Sequence, residues 1–584
     1  MMNWLSWYCI LSHCFFAFVL YKLAEDLNDS LGWQNNGKAG QICPQNTPQS
    51  DRNNLTENIV WKGSSVWCYG QKRSERICKF SNLCYSPSLE EYLFFHGRSS
   101  IMEGVPDSRC SPSLLDLSSV EDHNLQYFNF LDVPITALKR FPNIQVIHQP
   151  SLIFHRFNPD NFMHVIHDDL LPMFYTLRRY FPDFGAGAKT FNLDVQLVFM
   201  EGRDEGSYFD LYEIFSERKP MLRMQSMENN SLWCFQEALV GISKATTWYD
   251  YGFKVPQGVK ENHTANGQII HQFASYVTSK LGIMLETESG KSDYVIMFSR
   301  EFNRLILNEL ELSFAIATTF NLKVIRLSLE TNTLNEIISS IQSSAGIIGM
   351  HGSILSLAIF LRPGSFLVEL FPYGVNPDNY TPYKTLAEIS GMDISYNTWQ
   401  NKMKQNTVMH PNRTKEEGGI LHLSLKEQND ILTAEEVPKH LCCDNPYWLF
   451  RIYQDTVVDV ESFTQVMQSA IDGGKTLSKS NVVNVKPYPG KIKSVFCNGM
   501  IGPAIFISWK SPWNVQFFNP HDVEYEVWIQ NQSDKAYMAY ALNNVTQHTF
   551  AENVQHRTTY NVWVRGMISG NSGPFSDVCT CTTH

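Results

Sequence analysis

The sequence predicts an α/β protein with a doubly wound parallel sheet at its centre and a small β-sandwich at its C-terminus. Three observations lead there. Between Asp293 and Pro372, apolar runs of strand length alternate with stretches of helical period. After Tyr488 the character changes to short runs that alternate apolar and polar residues at period two. At 584 residues the chain is also too long for one ordinary domain, so two or three are expected.

Apolar residues make up 43% of the chain and charged residues 18%, the composition of a well-filled globular protein. A net charge of −11 without a long basic run argues against nucleic acid as the partner. From the N-terminus, Trp4 to Tyr21 carries no Asp, Glu, Lys or Arg. As a helix that run reaches about 27 Å, close to the hydrocarbon thickness of a bilayer. Trp4, Trp7 and Tyr21 sit near its ends, where aromatic rings favour the interface. The run is long for a cleaved signal peptide, and no A-x-A-like site follows it. Residues 1–3 are therefore expected to be a cytosolic tail, 4–21 a transmembrane signal anchor, and the Asn-, Gln- and Asp-rich 22–60 a stem. Cleavage of the apolar run is the alternative.

In either case the rest of the chain lies in a lumen. Glycosylation sequons at Asn28, Asn54, Asn229, Asn262, Asn412, Asn531 and Asn544 agree with that. Asn379 also matches, though Pro382 follows it closely. Of 13 cysteines, Cys9 and Cys14 fall in the anchor, and Cys68, Cys78, Cys84 and Cys110 cluster. In an oxidising compartment the cluster reads as one or two disulfides. A zinc site is disfavoured because "CYGQKRSERICKFSNLC" lacks paired C-x₂-C spacing.

Residues 61–285 and 286–472 form two α/β halves, the second with the sharper pattern. "DYVIMFSR" is a strand ending in Ser299 and Arg300, and "EFNRLILNELELSFAIATTF" is helical. "LKVIRLSL" is a strand, "NTLNEIISSIQSS" a helix and "AGIIGMHGS" a strand running into a turn. "ILSLAIFLR" is a short helix and "FLVELFP" the next strand. Ligands of such sheets sit at the carboxyl ends of the strands. Arg300, Arg304, His351, Gly352, Ser353 and Glu369 lie there. Gly352 and Ser353 precede a helix whose free N–H groups suit a phosphate. Arg300 and Arg304 are fixed cations with forked phosphate-binding geometry. Glu369 could accept both hydroxyls of a ribose. Blander roles compete: Arg304 pairing with Glu301 or Asn308 on its helix, Glu369 as a surface carboxylate, His351 bonded locally at the turn. Neither G-x-x-x-x-G-K-[ST] nor G-x-G-x-x-G occurs here, which disfavours ATPase and dehydrogenase readings.

"NPDNFMHVIHDDLLP", from Asn158 to Pro172, places two histidines and three aspartates in a core-like segment. Asn158-Pro159 reads as a turn and Asp160 as a helix cap. On the helix, Asn161, His164 and Asp168 at i, i+3 and i+7 form a polar stripe, expected to be a catalytic wall. A capped helix with His and Asp satisfying one another is the plain alternative. Zinc at His164, His167 and Asp168 is a third, weakened by spacing unlike H-E-x-x-H and by the lack of another evident ligand. Further on, "WLFRIYQDTVVDVESFTQVMQSAI" is apolar-periodic and is expected to be one terminal helix crossing back over the first half. A polar linker, 473–486, leads to the sandwich of 487–584. Trp509 and Tyr560 occupy places that resemble the core Trp and tyrosine corner of a fibronectin type III domain, and "GPFSDV" is similar to that fold's last strand.

"GMHGSILSLAIFLRPGSFLVELFP" resembles the His-Gly-x motif of the glycosyltransferase family that includes the plant xylosyltransferases and the EGF-domain O-GlcNAc transferase. "RFNPDNFMHVIHDDLLPMFYTLR" resembles that family's Asn-x-x-His…Asp motif. The likeness extends from the anchor to the sandwich. It includes "LLDLSSVEDHNLQYFNF", "KATTWYDYGF", "FSREFNRLILNE", "YGVNPDNYTPYKTLA" and "HLCCDNPYWLFRIYQDT". Ser353 departs from the Ala common after His-Gly. The resemblance implies a GT-B-type enzyme with two Rossmann-like halves and its site between them. It implies inverting transfer of GlcNAc from UDP-GlcNAc in β-1,4 linkage to O-linked mannose of a glycoprotein such as α-dystroglycan. The place is the endoplasmic reticulum membrane, in a single-pass type II protein with a lumenal catalytic part. Arg300, Arg304 and the Gly352 and Ser353 amides would hold the diphosphate without a metal or other cofactor. His164 is the leading base, oriented by Asp168 or Asn161, with His351 second. The sandwich would help hold the mannosylated peptide, and a homodimer stays open. The rivals are a related transferase with another donor or an EGF-module Ser/Thr acceptor, and a non-catalytic membrane-tethered binding protein.

Overall fold

The computed structural model describes residues 62–584 apart from 107–113, 121–126, 184–190, 253–255, 261–262, 284–291, 480–488, 516–522, 534–536 and 569–570. The expected anchor and stem, Cys110, and the sequons at Asn28, Asn54 and Asn262 lie outside the described residues. Among the described residues no helix is long and apolar enough to cross a membrane.

The first half is built on a mixed ten-stranded sheet. Its path runs Met221–Leu222, Gln196–Phe199, Ser151–Phe154, Leu232–Val240, Ile77–Ser86, Ser65–Tyr69, Met102–Glu103. The first four are parallel, and the pairings of Ile77–Ser86 with both of its neighbours on this path are antiparallel. This half is thus Rossmann-like only along one flank. Antiparallel strands can be joined by tight turns, so the cysteine-rich segment needs no crossover helix. Cys68 pairs with Cys78 across the adjacent strands Ser65–Tyr69 and Ile77–Ser86, while Cys84 pairs with the distant Cys234.

The second half has the expected topology: five parallel strands in the order Lys323–Leu327, Tyr294–Phe298, Gly346–Met350, Phe366–Phe371, Ser395–Gln400. Strands buried on both faces read as continuous apolar runs, which is why this region was legible. Three expectations need correction. The helix predicted over 301–320 covers only Glu309–Phe320, so Arg304 lies in the preceding loop, with φ +57°. The expected single terminal helix is broken into Pro446–Ile452, a two-residue strand Asp455–Thr456, and Val460–Lys479. The last of these packs Phe463, Met467 and Ala470 against its own sheet, not the first half. It also runs through the start of the expected linker. Gly473 and Gly474 give it close contact there, because a Cβ at either would lie 2.3 Å from Ser395 Oγ or 2.5 Å from Gly364 O.

Residues beyond the helix form a sandwich of one three-stranded and one five-stranded sheet. Trp509 packs edge-on against Tyr525 in its core, and the Tyr560 hydroxyl accepts from the Gln555 N–H at 2.7 Å. Asn531 corrects a sequon expectation: it is buried in a central strand, and its amide oxygen accepts from Ser533 N–H. Asn229, Asn412 and Asn544 are exposed.

One apolar core runs through both halves, joining Leu152 and Phe154 of the first sheet to Ile296, Ile347 and Leu367 of the second. Helix Gly267–Lys280 lies in this seam. Its Gly267 N–H donates to Ser390 O at 2.8 Å, and a Cβ at Gly267 would sit 2.0 Å from Gly391 O. Gly267→Ala is therefore expected to force the halves apart locally and cost roughly 1–3 kcal/mol. Urea unfolding of the variant checks it; an unchanged midpoint refutes the tight seam.

Candidate active site

The Asn158–Pro172 segment is a helix with a wide turn in it. Phe162–His164 is α-helical, Val165–Leu170 is π-helical, and Leu171–Tyr180 returns to α. Such π-bulges concentrate at functional sites. Here the wide turn brings three polar side chains together. His164 Nδ1 donates to Asp168 Oδ2 and His167 Nδ1 to Asp168 Oδ1, both at 2.6 Å, and the Tyr251 hydroxyl reaches Asp168 Oδ2 at 3.1 Å. Burial alone would raise the Asp168 carboxyl. The neighbouring His167 and His164 outweigh it and hold the group at about 2.

The two histidines differ in what remains. His167 is enclosed, and its Nε2 accepts from the Trp248 and Tyr249 N–H groups at 2.9 and 3.2 Å. Its Nε2 lone pair is used by these two backbone donors, so it is not offered to a metal. His164 has Nδ1 on Asp168, and its Nε2 has no partner among the described residues; its side chain is 15% exposed. It is wedged edge-on between Phe157 and Tyr251. No group of three His, Cys, Asp or Glu among the described residues is arranged to hold a metal.

The predicted stripe is corrected at its start. Asn161 is the helix cap, its Oδ1 accepting from Met163 N–H, so that oxygen does not orient His164. Asp160 instead accepts from the Ser207 N–H and hydroxyl. Next to the site, Asp169 is buried, with Phe157 N–H and the Tyr212 hydroxyl on its two oxygens. Burial pushes its carboxyl well up, and its two bonds are structural ones that tie the segment to Phe157 and Tyr212.

Phe162–His164 packs directly on the 3₁₀-helix Ser353–Phe360 of the second half, which brings the phosphate-binding candidates to the same cleft. A Cβ at Gly352 would lie 2.6 Å from Arg304 Nη1 and 3.4 Å from Arg300 Nη1, so both guanidinium groups converge on this glycine's backbone. Arg304 Nη1 donates to His351 O at 2.6 Å, and Arg300 Nε to Asn303 O at 3.0 Å. Among the described residues neither is ion-paired with a carboxylate. Burial, then the Arg304 charge, lowers the Arg300 guanidinium to about 10. Two adjacent unpaired cations against free backbone form a ready anion site.

Glu369 corrects the ribose expectation. It is fully buried, and both oxygens are committed, one to His351 Nδ1 and one to the Tyr396 hydroxyl, each at 2.5 Å. Its place in mid-strand turns it into the sheet rather than the cleft. It therefore orients His351, whose ring sits among Phe371, Tyr383 and Trp448. Burial, then the Asp168 charge, pushes the Tyr251 hydroxyl well above its ordinary value. Trp248 Nε1 donates to Pro382 O at 3.1 Å and fastens the walls together. His167, Trp248 and Tyr251 in these roles were missed. The aromatic run in "KATTWYDYGF" was the available signal.

Residues 162–368 match the Glycosyltransferase 61 family. Two curated relatives are the proteins named protein O-linked-mannose beta-1,4-N-acetylglucosaminyltransferase 2 of Bos taurus and Homo sapiens. Each is 46% identical over 527 residues, covering 89% of this chain and 89% of the relative. The Canis lupus familiaris protein of the same name is 44% identical over 575 residues, 97% of each chain. Among solved structures, the FN5 domain of Drosophila Lar is similar over 16% of this chain and 96% of its own, at 17% identity and a TM-score of 0.14. Identity at this level over this length makes the chain a member of the protein O-linked-mannose β-1,4-N-acetylglucosaminyltransferase 2 family, within glycosyltransferase 61.

Proposed function

We propose that the chain is an inverting glycosyltransferase of GT-B type that moves GlcNAc from UDP-GlcNAc to an O-linked mannose, forming a β-1,4 linkage. Its acceptor is a glycoprotein such as α-dystroglycan, and its place the lumen of the endoplasmic reticulum. The observation that carries this reading is the convergence of two carboxylate-free arginines, Arg300 and Arg304, on Gly352, in a cleft whose other wall holds His164.

The mannose hydroxyl attacks the anomeric carbon of GlcNAc as the bond to the UDP oxygen breaks. The attacking hydroxyl must lose a proton and the departing diphosphate must be met by positive charge. His164 Nε2 takes the proton, and the ionised Asp168 on Nδ1 stabilises the imidazolium that forms. Arg300, Arg304 and the Gly352–Ser353 backbone take the diphosphate, so the reading needs no metal. The sandwich borders the cleft wall, with a cavity of about 420 Å³ between Asp250, Pro256 and Val259 on one side and Trp563, Arg565 and Phe575 on the other. That supports a part in holding the acceptor peptide.

Calorimetric titration with UDP-GlcNAc, UDP-Gal and UDP-Xyl in EDTA is expected to give saturable binding of UDP-GlcNAc. Absence of binding by all three would remove the nucleotide site and leave a tethered binding protein.

His164→Ala is expected to lower kcat by about 10²–10⁴-fold while UDP affinity stays within a few-fold of the parent. A kcat within tenfold of the parent would assign the base elsewhere.

Asp168 also gives a pH dependence. Its folded pKa lies below the ordinary carboxylate value, so its ionisation stabilises the fold above about pH 4 and the benefit fades as pH falls toward about 2. Asp168→Asn should therefore flatten acid unfolding in that window, where the parent loses on the order of 2 kcal/mol. Parallel acid curves for parent and variant contradict the assignment.

A further inference from the structure

Arg304 is held in a conformation it would not adopt unaided. Its φ of +57° is left-handed, which costs a non-glycine residue about 1–2 kcal/mol on general grounds. It is also pressed toward a second guanidinium, that of Arg300. Something must oppose both effects, and the segment Tyr453–Thr456 lies where that opposition is needed.

Asp455, 4% exposed, accepts the Leu305 N–H on Oδ1 at 3.0 Å, gripping the peptide that immediately follows Arg304. Its Oδ2 is bonded to His410 Nε2 at 2.6 Å, which fixes the carboxylate's orientation. Thr456 N–H donates to Leu305 O at 2.8 Å, and Leu307 N–H donates to Thr456 O at 2.9 Å. The loop is thus laced to this two-residue strand through the Asp455 side chain and both backbone groups of Thr456. The Tyr453 ring lies under the guanidinium itself, 4.8 Å from Arg304 Cζ to the ring centroid. Backbone and side chain of Arg304 are therefore held by residues from one short segment about 150 positions away in sequence.

We propose that Tyr453, Asp455 and His410 are positioning residues for the nucleotide diphosphate, acting through Arg304. Asp455, braced by His410, sets the left-handed backbone. Tyr453 sets the plane of the guanidinium by stacking, so that it meets the phosphate oxygens without first having to be ordered. None of the three needs to touch the donor. The proposal rests on the reading of Arg304 as a diphosphate ligand.

The test separates phosphate recognition from general stability. The full-length chain and its variants Tyr453→Leu, Tyr453→Phe and Asp455→Ala are titrated with UDP and with uridine. The parent is expected to prefer UDP strongly. Tyr453→Leu and Asp455→Ala should each weaken UDP binding by about tenfold and leave uridine binding unchanged, an effect of about 1.4 kcal/mol. Tyr453→Phe keeps the ring and should retain the parent's preference. If the parent does not distinguish UDP from uridine, the diphosphate reading fails at its root. If the parent does and Tyr453→Leu keeps the same preference, that reading stands and the positioning role is overturned. Equal weakening of both ligands by Tyr453→Leu also overturns it, since that is the signature of a merely structural residue. Should Asp455→Ala not fold, the two Tyr453 variants decide.

Discussion

The cleft depends on one buried negative charge. Asp168 is 1% exposed, and an isolated carboxylate in that place would protonate rather than stay ionised. It stays charged because two imidazole N–H groups and a phenol point at it. That requirement explains the surrounding architecture. The π-turn exists to place His164 and His167 on the same carboxylate. The backbone at Trp248 and Tyr249 fixes the tautomer of His167 by donating to its other nitrogen. Tyr251 closes the third side. Losing a single donor from such a cluster strands part of a buried charge, whereas losing the whole cluster could be compensated by apolar packing. The cluster is therefore expensive as a structural device and economical as a way to hold one histidine.

The opposite wall poses the converse problem, an excess of positive charge. Arg300 and Arg304 repel one another, and burial works against the Arg300 charge. In a protein that only needed to fold, a carboxylate would sit between them. Glu369 lies on a strand of the same sheet and could have served, but both its oxygens are bonded to His351 and Tyr396. The arrangement leaves both cations without an ion pair among the described residues and uses the carboxylate to orient a ring instead. An anionic ligand supplies what the wall lacks, and this is a stronger reason for a diphosphate than the presence of the arginines alone.

How much of this could be read from the sequence follows from the range of the forces involved. The second sheet was legible because strands covered on both faces must be apolar throughout, and Gly346–Met350 and Phe366–Phe371 are. Arg300, Arg304, His351 and Gly352 were found because topology places strand ends together whatever the details. Direction was harder. Glu369 has the right residue type at the right strand, and only its pairing with His351 shows that it faces inward. Asn161 was expected on the stripe and instead spends its oxygen on the helix start. The π-turn could not be anticipated, because it is set by tertiary contacts to Trp248 and Tyr249 some eighty residues on. The loop carrying Arg304 was read as helix for the same reason: its local pattern is apolar and helical, and its real partner is the distant Asp455.

The cleft holds two histidines built alike, each with Nδ1 on a buried carboxylate, and their surroundings separate their roles. His351 is tied to the nucleotide wall twice, by Glu369 through its ring and by Arg304 through its carbonyl. Aromatic rings crowd it. Any movement of its ring toward an incoming acceptor would disturb Arg304, the arginine proposed to meet the leaving group. His164 has no such link. Its backbone belongs to the facing half, its carboxylate is already matched by His167 and Tyr251, and gaining a proton at Nε2 disturbs no bond to the donor side. An inverting displacement places nucleophile and leaving group on opposite faces of the anomeric carbon. A base on one wall and the cations on the other fit that geometry, and in the proposed mechanism His351 serves the donor and His164 the acceptor.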